Sequence, residues 1–280
     1  MNPTIRYFGW SALCIESPAG ALFFDPFFRE YCGAKWFGLE DFANATVVCA
    51  THGHEEHYLD IPAVVARSGA AVVGTKAVCD YLRWRSRVPR ERLHAIEPFT
   101  PVDVRGFHIT SFQWKHRDIN LWKTLAKAVF QGNATQLSWA WSSATNAPFY
   151  SDYTGFHVTL PGGLTVLNYN EGFNTKMTDA EIADIGSRLR TDVLLAGMQL
   201  SFVEDVARGA AALNPRIVVL YPPHDNFHRM MGVSSSPWQE FKAAVEKRLP
   251  LARVLIAEPG AAIDAVTGEM TLTPPAVVAA

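Results

Sequence analysis

The stretch of sequence that decides the fold is residues 46–57, TVVCATHGHEEH. A strand is predicted over its first five residues, which are apolar or β-branched, and three histidines and two glutamates follow within residues 52–57. A strand end supplies a rigid starting point, and the turn after it allows alternate side chains to converge. Imidazole nitrogens and carboxylate oxygens are ligands that Zn²⁺, Mn²⁺ and Fe²⁺ accept. The stretch therefore predicts a metal site. The alternative is an exposed polar turn whose histidines only solvate the strand end.

Three further candidate ligands stand at the same kind of position along the chain. His116, Glu171 and His224 each come after a predicted apolar strand. Ligands at several strand ends on one edge of a sandwich can meet in a single cleft, and functional residues are common on such loops. A lone histidine is more often a hydrogen-bonded structural residue, but together with the cluster these three are predicted to be metal ligands.

Composition and charge exclude several classes of protein. Of the 280 residues, 49% are hydrophobic and 19% are charged, so the chain can bury a substantial core. The formal net charge of −2 gives no electrostatic reason to expect a nucleic-acid partner. The chain also lacks the run of roughly 18 to 20 apolar residues that a transmembrane helix requires.

The N-terminal residues and the cysteines indicate the compartment. Residues 1–6 lack the basic start, apolar middle and cleavage site of a signal peptide. The cysteines have no paired spacing, and they are Cys14, Cys32, Cys49 and Cys79. Free thiols in a reducing compartment are therefore expected rather than disulfides, and the predicted location is the cytoplasm.

The alternation of apolar runs and turn residues predicts a mixed α/β (α+β) protein. One helix is predicted to start at Ile61 with Asp60 as its N-cap, and Thr178 and Glu181 form a capping box at the start of another. Helices are predicted over residues 77–85, 178–190, 203–213 and 237–248. Two strand-rich halves with helices outside them predict a single domain over residues 1–280, built as a four-layer αββα sandwich.

Residues 117–153 are rich in Trp, Phe, Tyr, Ser and Asn and do not resemble core sheet. One helical face within the segment carries Ile119, Trp122, Leu125, Ala126 and Val129. The pattern predicts either an ordinary helix packed on the core or a lid over the substrate. The aromatic residues of this region could wall an apolar pocket over the metal site, and they could equally form the core of an inserted subdomain or an oligomer interface. The amphipathic helix could also rest on a membrane surface. They are Trp114, Trp122, Trp139, Trp141, Phe149, Tyr150 and Tyr153.

The cluster at residues 52–57 resembles the His-x-His-x-acid-His signature of the metallo-β-lactamase superfamily, whose fold is the four-layer αββα sandwich. His116, Glu171 and His224 follow in the order of its remaining motifs. The resemblance extends from the N-terminus to about residue 260, and residues 117–153 have no clear counterpart in it.

The opening of the chain narrows the resemblance to one branch. Residues 7–13, YFGWSAL, and residues 24–27, FDPF, resemble the branch that contains L-ascorbate-6-phosphate lactonase and the phospholipase D that acts on N-acyl phosphatidylethanolamines. That branch usually has His at the position of Trp10 in this chain.

The resemblance implies a centre for two divalent transition-metal ions, Zn, Mn or Fe. One ion would be held by His52, His54 and His116, the other by Glu56, His57 and His224, with Glu171 and a water or hydroxide bridging them. The resemblance also implies that Asp25 lies near the cluster, where it could hydrogen-bond a ligand imidazole and fix its tautomer. A purely structural buried Asp25 is the alternative.

Two positions depart from the superfamily, which typically has Asp where this chain has Glu56 and Glu171. Glutamate keeps the charge but adds one methylene, so its carboxylate lies further from the backbone. Two such ligands could expand the site, change the preferred metal, favour bidentate binding or hold the second ion weakly. The neighbouring Glu55 is another acidic candidate, but the spacing favours Glu56.

The ligand set and the resemblance together predict a hydrolase in which a metal-activated bridging water attacks the substrate. The predicted reaction is cleavage of an ester-type bond, such as a phosphodiester or a lactone, in a small molecule or lipid. Candidate catalytic residues are Glu56, Asp25 and His228. His228 or Lys115 could protonate the leaving group, although a packing or surface role is the simpler interpretation of each.

Two alternative functions stay open at this point. The first is a mononuclear iron enzyme of the same fold that uses oxygen or performs redox chemistry, with fewer ligands at its second site. The second is a non-catalytic binding protein that keeps a metal. The sequence is also compatible with a homo-oligomer.

Overall fold

The computed structural model describes residues 2–117 and 152–273, together with the isolated positions 126, 129, 130, 132, 134, 137, 141 and 145. The amphipathic helix and the lid predicted within 117–153 lie largely outside the described residues. They stay predictions, as does the single domain over 1–280.

Two β-sheets form the centre of the molecule. Their strands are, in chain order, β1 (Thr4–Tyr7), β2 (Leu13–Ser17), β3 (Gly20–Phe24), β4 (Ala45–Ala50), β5 (Ala71–Gly74), β6 (Leu93–Ala95), β7 (Val102–Val104), β8 (Phe107–Gln113), β9 (Thr154–Thr159), β10 (Thr165–Asn170), β11 (Val193–Gly197), β12 (Ile217–Tyr221), β13 (Arg253–Ile256), β14 (Ala261–Asp264) and β15 (Met270–Leu272). Among the described residues, the first sheet has the order β15-β14-β1-β2-β3-β4-β5-β6 and the second the order β13-β12-β11-β10-β9-β8-β7.

Helices cover the outer faces of both sheets. In the described parts of the chain they are α1 (Glu55–Tyr58), α2 (Ile61–Ser68), α3 (Lys76–Trp84), α4 (Asp179–Arg188), α5 (Val203–Leu213), α6 (Asp225–Met230) and α7 (Trp238–Arg248). Apolar residues of α2 and α3 pack on the first sheet, and those of α4, α5 and α7 pack on the second. The predicted four-layer αββα sandwich is confirmed.

Strand β4 shows why the sequence specifies this architecture. It pairs in parallel with β3 on one side and β5 on the other, so both of its faces are covered. Val47 and Cys49 point into the core between the sheets, while Val48 and Ala50 point into the core beneath the helices. A strand buried on both faces needs an unbroken apolar run, and residues 46–50 provide one.

The two predicted helix caps have different outcomes. At α4, Thr178 accepts a hydrogen bond from the Glu181 N–H and the Glu181 carboxylate accepts one from the Thr178 N–H, so the capping box is confirmed. At α2, the predicted start at Ile61 and the N-cap position of Asp60 are confirmed, but the Asp60 side chain makes no capping hydrogen bond. The buried Asp60 carboxylate accepts instead from the N–H groups of Phe28 and Arg29 and from the Arg29 guanidinium. A tertiary ion pair thus replaces the local cap.

The predicted thiol state of the cysteines is confirmed: all four are free, and Cys14, Cys49 and Cys79 are buried. In the part of the chain that the structure describes, no helix has both the length and the apolar character to cross a bilayer.

Replacing Phe156 by Ala tests the inter-sheet core. Phe156 is fully buried between the sheets, with its ring centroid 6.2 Å from that of Phe24. We expect the free energy of unfolding to fall by about 3–5 kcal/mol, because a cavity replaces the ring. Leu251→Ala is the control, since Leu251 is 98% exposed and its loss should change stability by less than about 0.5 kcal/mol. Urea denaturation measures both, and equal effects would contradict the assigned core.

Candidate metal centre

The carboxyl ends of several strands meet at one edge of the sandwich. In the first sheet, β3 and β4 are parallel, so Asp25 and Thr51 emerge side by side after them. In the second sheet, β8, β10 and β12 run in one direction, and they are followed by His116, Glu171 and His224. A hydrogen bond of 3.0 Å from the Thr154 N–H to the Thr51 carbonyl joins the two sheets at this edge. The topology therefore brings all the predicted ligands to one place.

The one-turn helix α1 arranges the histidine-rich cluster. His54 is its N-cap residue, and the His57 N–H donates to the His54 carbonyl at 3.0 Å. His52 and His54 lie before the turn, whereas Glu56 and His57 lie within it, so the two pairs face different parts of the cleft. Glu56, His57 and the neighbouring residues of α1 are buried despite their polarity.

The first group of candidate ligands contains His52, His54, His116 and Glu171, whose ligand atoms all lie within 4.8 Å of one another. His52 Nε2 is 3.0 Å from His54 Nδ1. Glu171 Oε1 lies 3.1 Å from His116 Nε2 and 3.4 Å from His52 Nε2. Three imidazole nitrogens and one carboxylate oxygen thus surround a common point, which is the donor set expected for a divalent transition metal.

The second group contains Glu56, His57 and His224, again within 4.8 Å. Glu56 Oε1 lies 3.9 Å from both His57 Nε2 and His224 Nδ1. Glu171 connects the groups, because its Oε2 is 2.7 Å from His224 Nε2 while its Oε1 faces the first group. Glu56, and not Glu55, is the carboxylate of this group, as the spacing indicated.

Asp25 lies beneath both groups and fixes the tautomers of two imidazoles. Its Oδ2 is 2.7 Å from His57 Nδ1 and also accepts from the Thr51 hydroxyl at 2.6 Å. The same hydroxyl oxygen lies 3.0 Å from His52 Nδ1. With Nδ1 of each ring donating to this network, the Nε2 lone pairs of His52 and His57 point toward Glu171.

Asn170 completes the network under the ligands. Its side-chain amide donates to Asp25 Oδ2 at 2.9 Å and to Thr51 Oγ1 at 3.0 Å. Its φ of 52° is left-handed, and the β10–β11 register shifts between Asn168 and Asn170. This irregularity at the strand end re-aims the chain just before Glu171. Asn is among the few non-glycine residues that adopt this backbone region readily.

Burial and the surrounding charges set the protonation of the ligands. Burial lowers the pKa of His52 to about 3 and that of His57 to about 4. Both rings are therefore neutral near pH 7 and keep a lone pair for a cation. Burial raises the pKa of Asp25 to about 7, against the lowering effects of His52 and the Thr51 hydrogen bonds.

The pKa values of Glu171 and His224, whose side chains lie 2.7 Å apart, shift in opposite directions. Burial alone would raise the pKa of Glu171, but the charges on His224 and His116 and their hydrogen bonds hold it well below its usual value. For His224, burial alone would lower the pKa, but Glu171 and Glu56 raise it. Glu171 is thus an ionised carboxylate at neutral pH.

Two features of the described residues fit a bound cation. The Glu171 carboxylate lies 3.1 Å from His116 Nε2, and His116 Nδ1 is held 2.6 Å from the Arg117 carbonyl, so a negative charge faces this ring nitrogen where a cation would bind. Buried Glu56 Oε2, His57 Nε2 and His224 Nδ1 also lack a hydrogen-bond partner in the described parts of the chain. Buried polar atoms are rarely left unpaired without a functional reason.

The proposed leaving-group acids occupy different surroundings. His228 is buried, with its ring centroid 6.0 Å from that of His224, and burial lowers its pKa to about 3, so it is neutral at pH 7. Lys115 is ion-paired with Glu181 at the surface, and it lines the larger cavity beside His116 rather than the narrow pocket at the candidate ligands. That Lys115 donates a proton stays a prediction.

Aromatic rings form one wall of the site. Tyr153 stacks on His116 with centroids 4.7 Å apart, and Trp114 lies 5.2 Å from Tyr153. Both belong to the aromatic set singled out from the sequence, whereas most of the other members lie outside the described residues. A narrow pocket opens directly at the ligands, and a larger cavity of about 760 Å³ adjoins it at His116.

Sequence reasoning did not identify Thr51, Asn170 or Gln199 as part of the site. Thr51 and Asn170 directly precede the ligands His52 and Glu171, and this adjacency is the one signal that could have found them. The Gln199 amide donates to the Glu171 carbonyl at 2.9 Å, a contact that follows only from the three-dimensional arrangement.

No family model matches the chain. Among curated proteins, it is 22% identical over 263 residues to a metal-dependent hydrolase from Methanosarcina mazei, covering 93% of this chain and 97% of the relative. It is 26% identical over 228 residues to a metal-dependent hydrolase from Methanosphaera stadtmanae, covering 79% and 83% of the two chains.

Two solved structures show the same architecture. The metallo hydrolase Igni18 from Ignicoccus hospitalis superposes with a TM-score of 0.64 at 20% identity, covering 97% of this chain and 98% of the other. The metallo-β-lactamase fold protein YhfI from Bacillus subtilis superposes with a TM-score of 0.60 at 12% identity, covering 94% and 99%. The chain therefore has the metallo-β-lactamase fold.

Replacing Thr51 by Val tests the network beneath the ligands. The substitution keeps the shape of the side chain but removes the hydroxyl that joins Asp25 to His52. We expect affinity for Zn²⁺ to fall by about 10- to 100-fold, the usual cost of losing a group that orients a ligand. Competition with a chromogenic chelator measures the affinity. Thr110→Val, a similar change at a buried position on β8, should leave it unchanged; a Thr51 variant that binds Zn²⁺ like the unsubstituted protein would rule out this role.

Proposed function

We propose that this chain, which has the metallo-β-lactamase fold, is a hydrolase that binds two divalent transition-metal ions and cleaves an ester-type bond. The observation that supports the proposal is the convergence of seven ligand side chains in two groups that share the carboxylate of Glu171. The chain's relatives from two archaea are named metal-dependent hydrolases, and they match it over most of their length.

The residues of this chain would share the ions in a defined way. His52, His54 and His116 would hold one ion, Glu56, His57 and His224 the other, and Glu171 would contact both through its two oxygens. When bound, such ions lower the pKa of a coordinated water towards neutrality and polarise the scissile group of the substrate. Zn, Mn and Fe all accept this mixture of imidazole and carboxylate ligands.

The protein's own contribution is to hold the ligands and shape the cleft. Asp25 and Thr51 orient His57 and His52, so the lone pairs are aimed before a metal arrives. Tyr153 and Trp114 form a wall of the cleft on the side of His116. Rigid ligands lose little freedom on binding, and this increases affinity.

The substrate proposal is a small molecule with an ester, lactone or phosphodiester bond. The narrow pocket at the ligands is lined by polar groups with Phe227 as its apolar member, which suits a compact polar ester better than a long acyl chain. The free, mostly buried thiols favour a reducing compartment for this activity.

Elemental analysis of protein purified without added metal tests the two-ion centre. We expect close to two ions per chain in the unsubstituted protein and about one in Glu56→Ala, because that variant loses a carboxylate of the second group only. His108→Ala is the matched control, since His108 is exposed and pairs with Asp103 far from the cluster. Equal stoichiometry in all three proteins, or absence of metal in the unsubstituted one, would contradict the centre.

Hydrolysis assays test the reaction type with bis(4-nitrophenyl) phosphate, 4-nitrophenyl butyrate and γ-butyrolactone as substrates. We expect turnover of at least one, and a fall in kcat/KM of about 10²- to 10³-fold in Glu171→Gln, because the bridging carboxylate loses its charge. His108→Ala should retain the activity. Oxygen consumption measured in parallel distinguishes the iron redox alternative, and metal binding without any turnover favours the binding-protein alternative.

A further inference from the structure

Arg117 follows His116 directly and lines the narrow pocket at the metal ligands. That pocket is also lined by His54, Glu56, His116, Glu171, His224 and Phe227. Arg117 is the one lysine or arginine among these lining residues. A fixed positive charge therefore stands beside the cleft where the substrate would bind.

Two buried neutral side chains hold the guanidinium. Its Nε–H donates to Gln199 Oε1 at 3.2 Å, and Nη2 donates to His228 Nε2 at 3.5 Å. Gln199 and His228 are each only 2% exposed. Gln199 is itself anchored on the Glu171 carbonyl, and His228 Nδ1 lies 3.1 Å from Ser235 Oγ. The arginine is thus held beside the candidate ligands by Gln199, in the segment after β11, and by His228, on helix α6.

The protonation state of His228 suits a residue that accepts a hydrogen bond from Arg117, and it does not suit a proton donor. With Nδ1 donating to Ser235, its Nε2 lone pair is free to accept from Arg117. Burial, together with the charges of His224 and Arg117, lowers the pKa of His228 to about 3, so the ring stays neutral. The contact with Arg117 explains why a histidine is buried here.

Several arginines of the described residues are held by acidic partners. Arg29 pairs with Asp60, Arg67 with Glu40, and Arg208 with Asp179 and Asp205. For Arg117, no carboxylate of the described residues lies within ion-pair distance. A guanidinium has five N–H donors; Gln199 and His228 accept from two of them, and none of the described residues accepts from the other three.

We propose that Arg117 binds an anionic oxygen-bearing group of the substrate, a phosphate or a carboxylate, next to the metal cluster. The planar fork of a guanidinium matches such groups in bidentate geometry. Gln199 and His228 are the residues that position it. This inference rests on the proposed function and narrows it, because the substrate becomes an anionic ester rather than a neutral one.

Calorimetric titration of the Zn²⁺-loaded protein with inorganic phosphate tests the inference without requiring turnover. We expect Arg117→Ala to raise the Kd for phosphate by about 10- to 100-fold, the effect of losing a charge-assisted hydrogen-bonded pair. Arg117→Lys should give an intermediate Kd, because it keeps the charge but loses the fork. Arg229→Ala is the control: Arg229 is an exposed arginine on α6, and its loss should change the Kd by less than about twofold.

Acetate titrated in the same way identifies the preferred anion. An Arg117-dependent affinity for either anion supports the inference, and unchanged affinity for both in Arg117→Ala overturns it. Metal content is measured on every sample, and Arg117→Gln replaces Arg117→Ala if the latter loses zinc. If the unsubstituted protein contains no metal, the proposed hydrolase function is refuted. If the protein is metal-loaded and active but its affinity for anions is the same with and without Arg117, only this inference is refuted.

Discussion

The buried carboxylate of Asp25 is the constraint on which the site depends. It is fully buried at the junction of the sheets, where an ionised group is costly unless every lone pair has a donor. The Thr51 N–H and hydroxyl, the Asn170 amide and His57 Nδ1 supply four such donors. These hydrogen bonds to Asp25 fix the ends of β3, β4 and β10 relative to each other. They also orient the imidazoles of His57 and, through the Thr51 hydroxyl, of His52 toward the cleft. The geometry of the candidate ligands therefore follows from the hydrogen bonds that the buried Asp25 carboxylate requires.

The fold could be predicted from the sequence because its main signals are local. Strand β4 is buried on both faces and reads as an unbroken apolar run, and the helix cap at Thr178 has its partner three residues away. Asp60 occupies the predicted N-cap position, but its side chain makes no capping hydrogen bond, for the opposite reason. Its side chain pairs with Arg29, which is 31 residues away, and local patterns contain no information about such a competitor.

The candidate site also contains some residues that the sequence could identify and others that it could not. The side chains that converge were recognisable by type and by position after strands, and the structure brings all seven together. The residues that orient them were not, because Thr51 and Asn170 are unremarkable in sequence and gain their roles from contacts across 119 positions. Arg117 and His228 are 111 positions apart, so the sequence offered His228 as an isolated proton donor and left Arg117 unassigned.

The carboxylate of Glu171 joins the two groups of candidate ligands. Its carboxylate reaches far enough for one oxygen to face His116 and the other His224, so a single side chain serves both groups of ligands. Its carbonyl is meanwhile held by Gln199, which in turn holds Arg117. Movement of this backbone segment would therefore displace the bridging carboxylate and the arginine together. If Arg117 binds an anionic group as we propose, the position of that group is coupled to the position of the candidate ligands, and precise placement of a substrate between them would require such coupling.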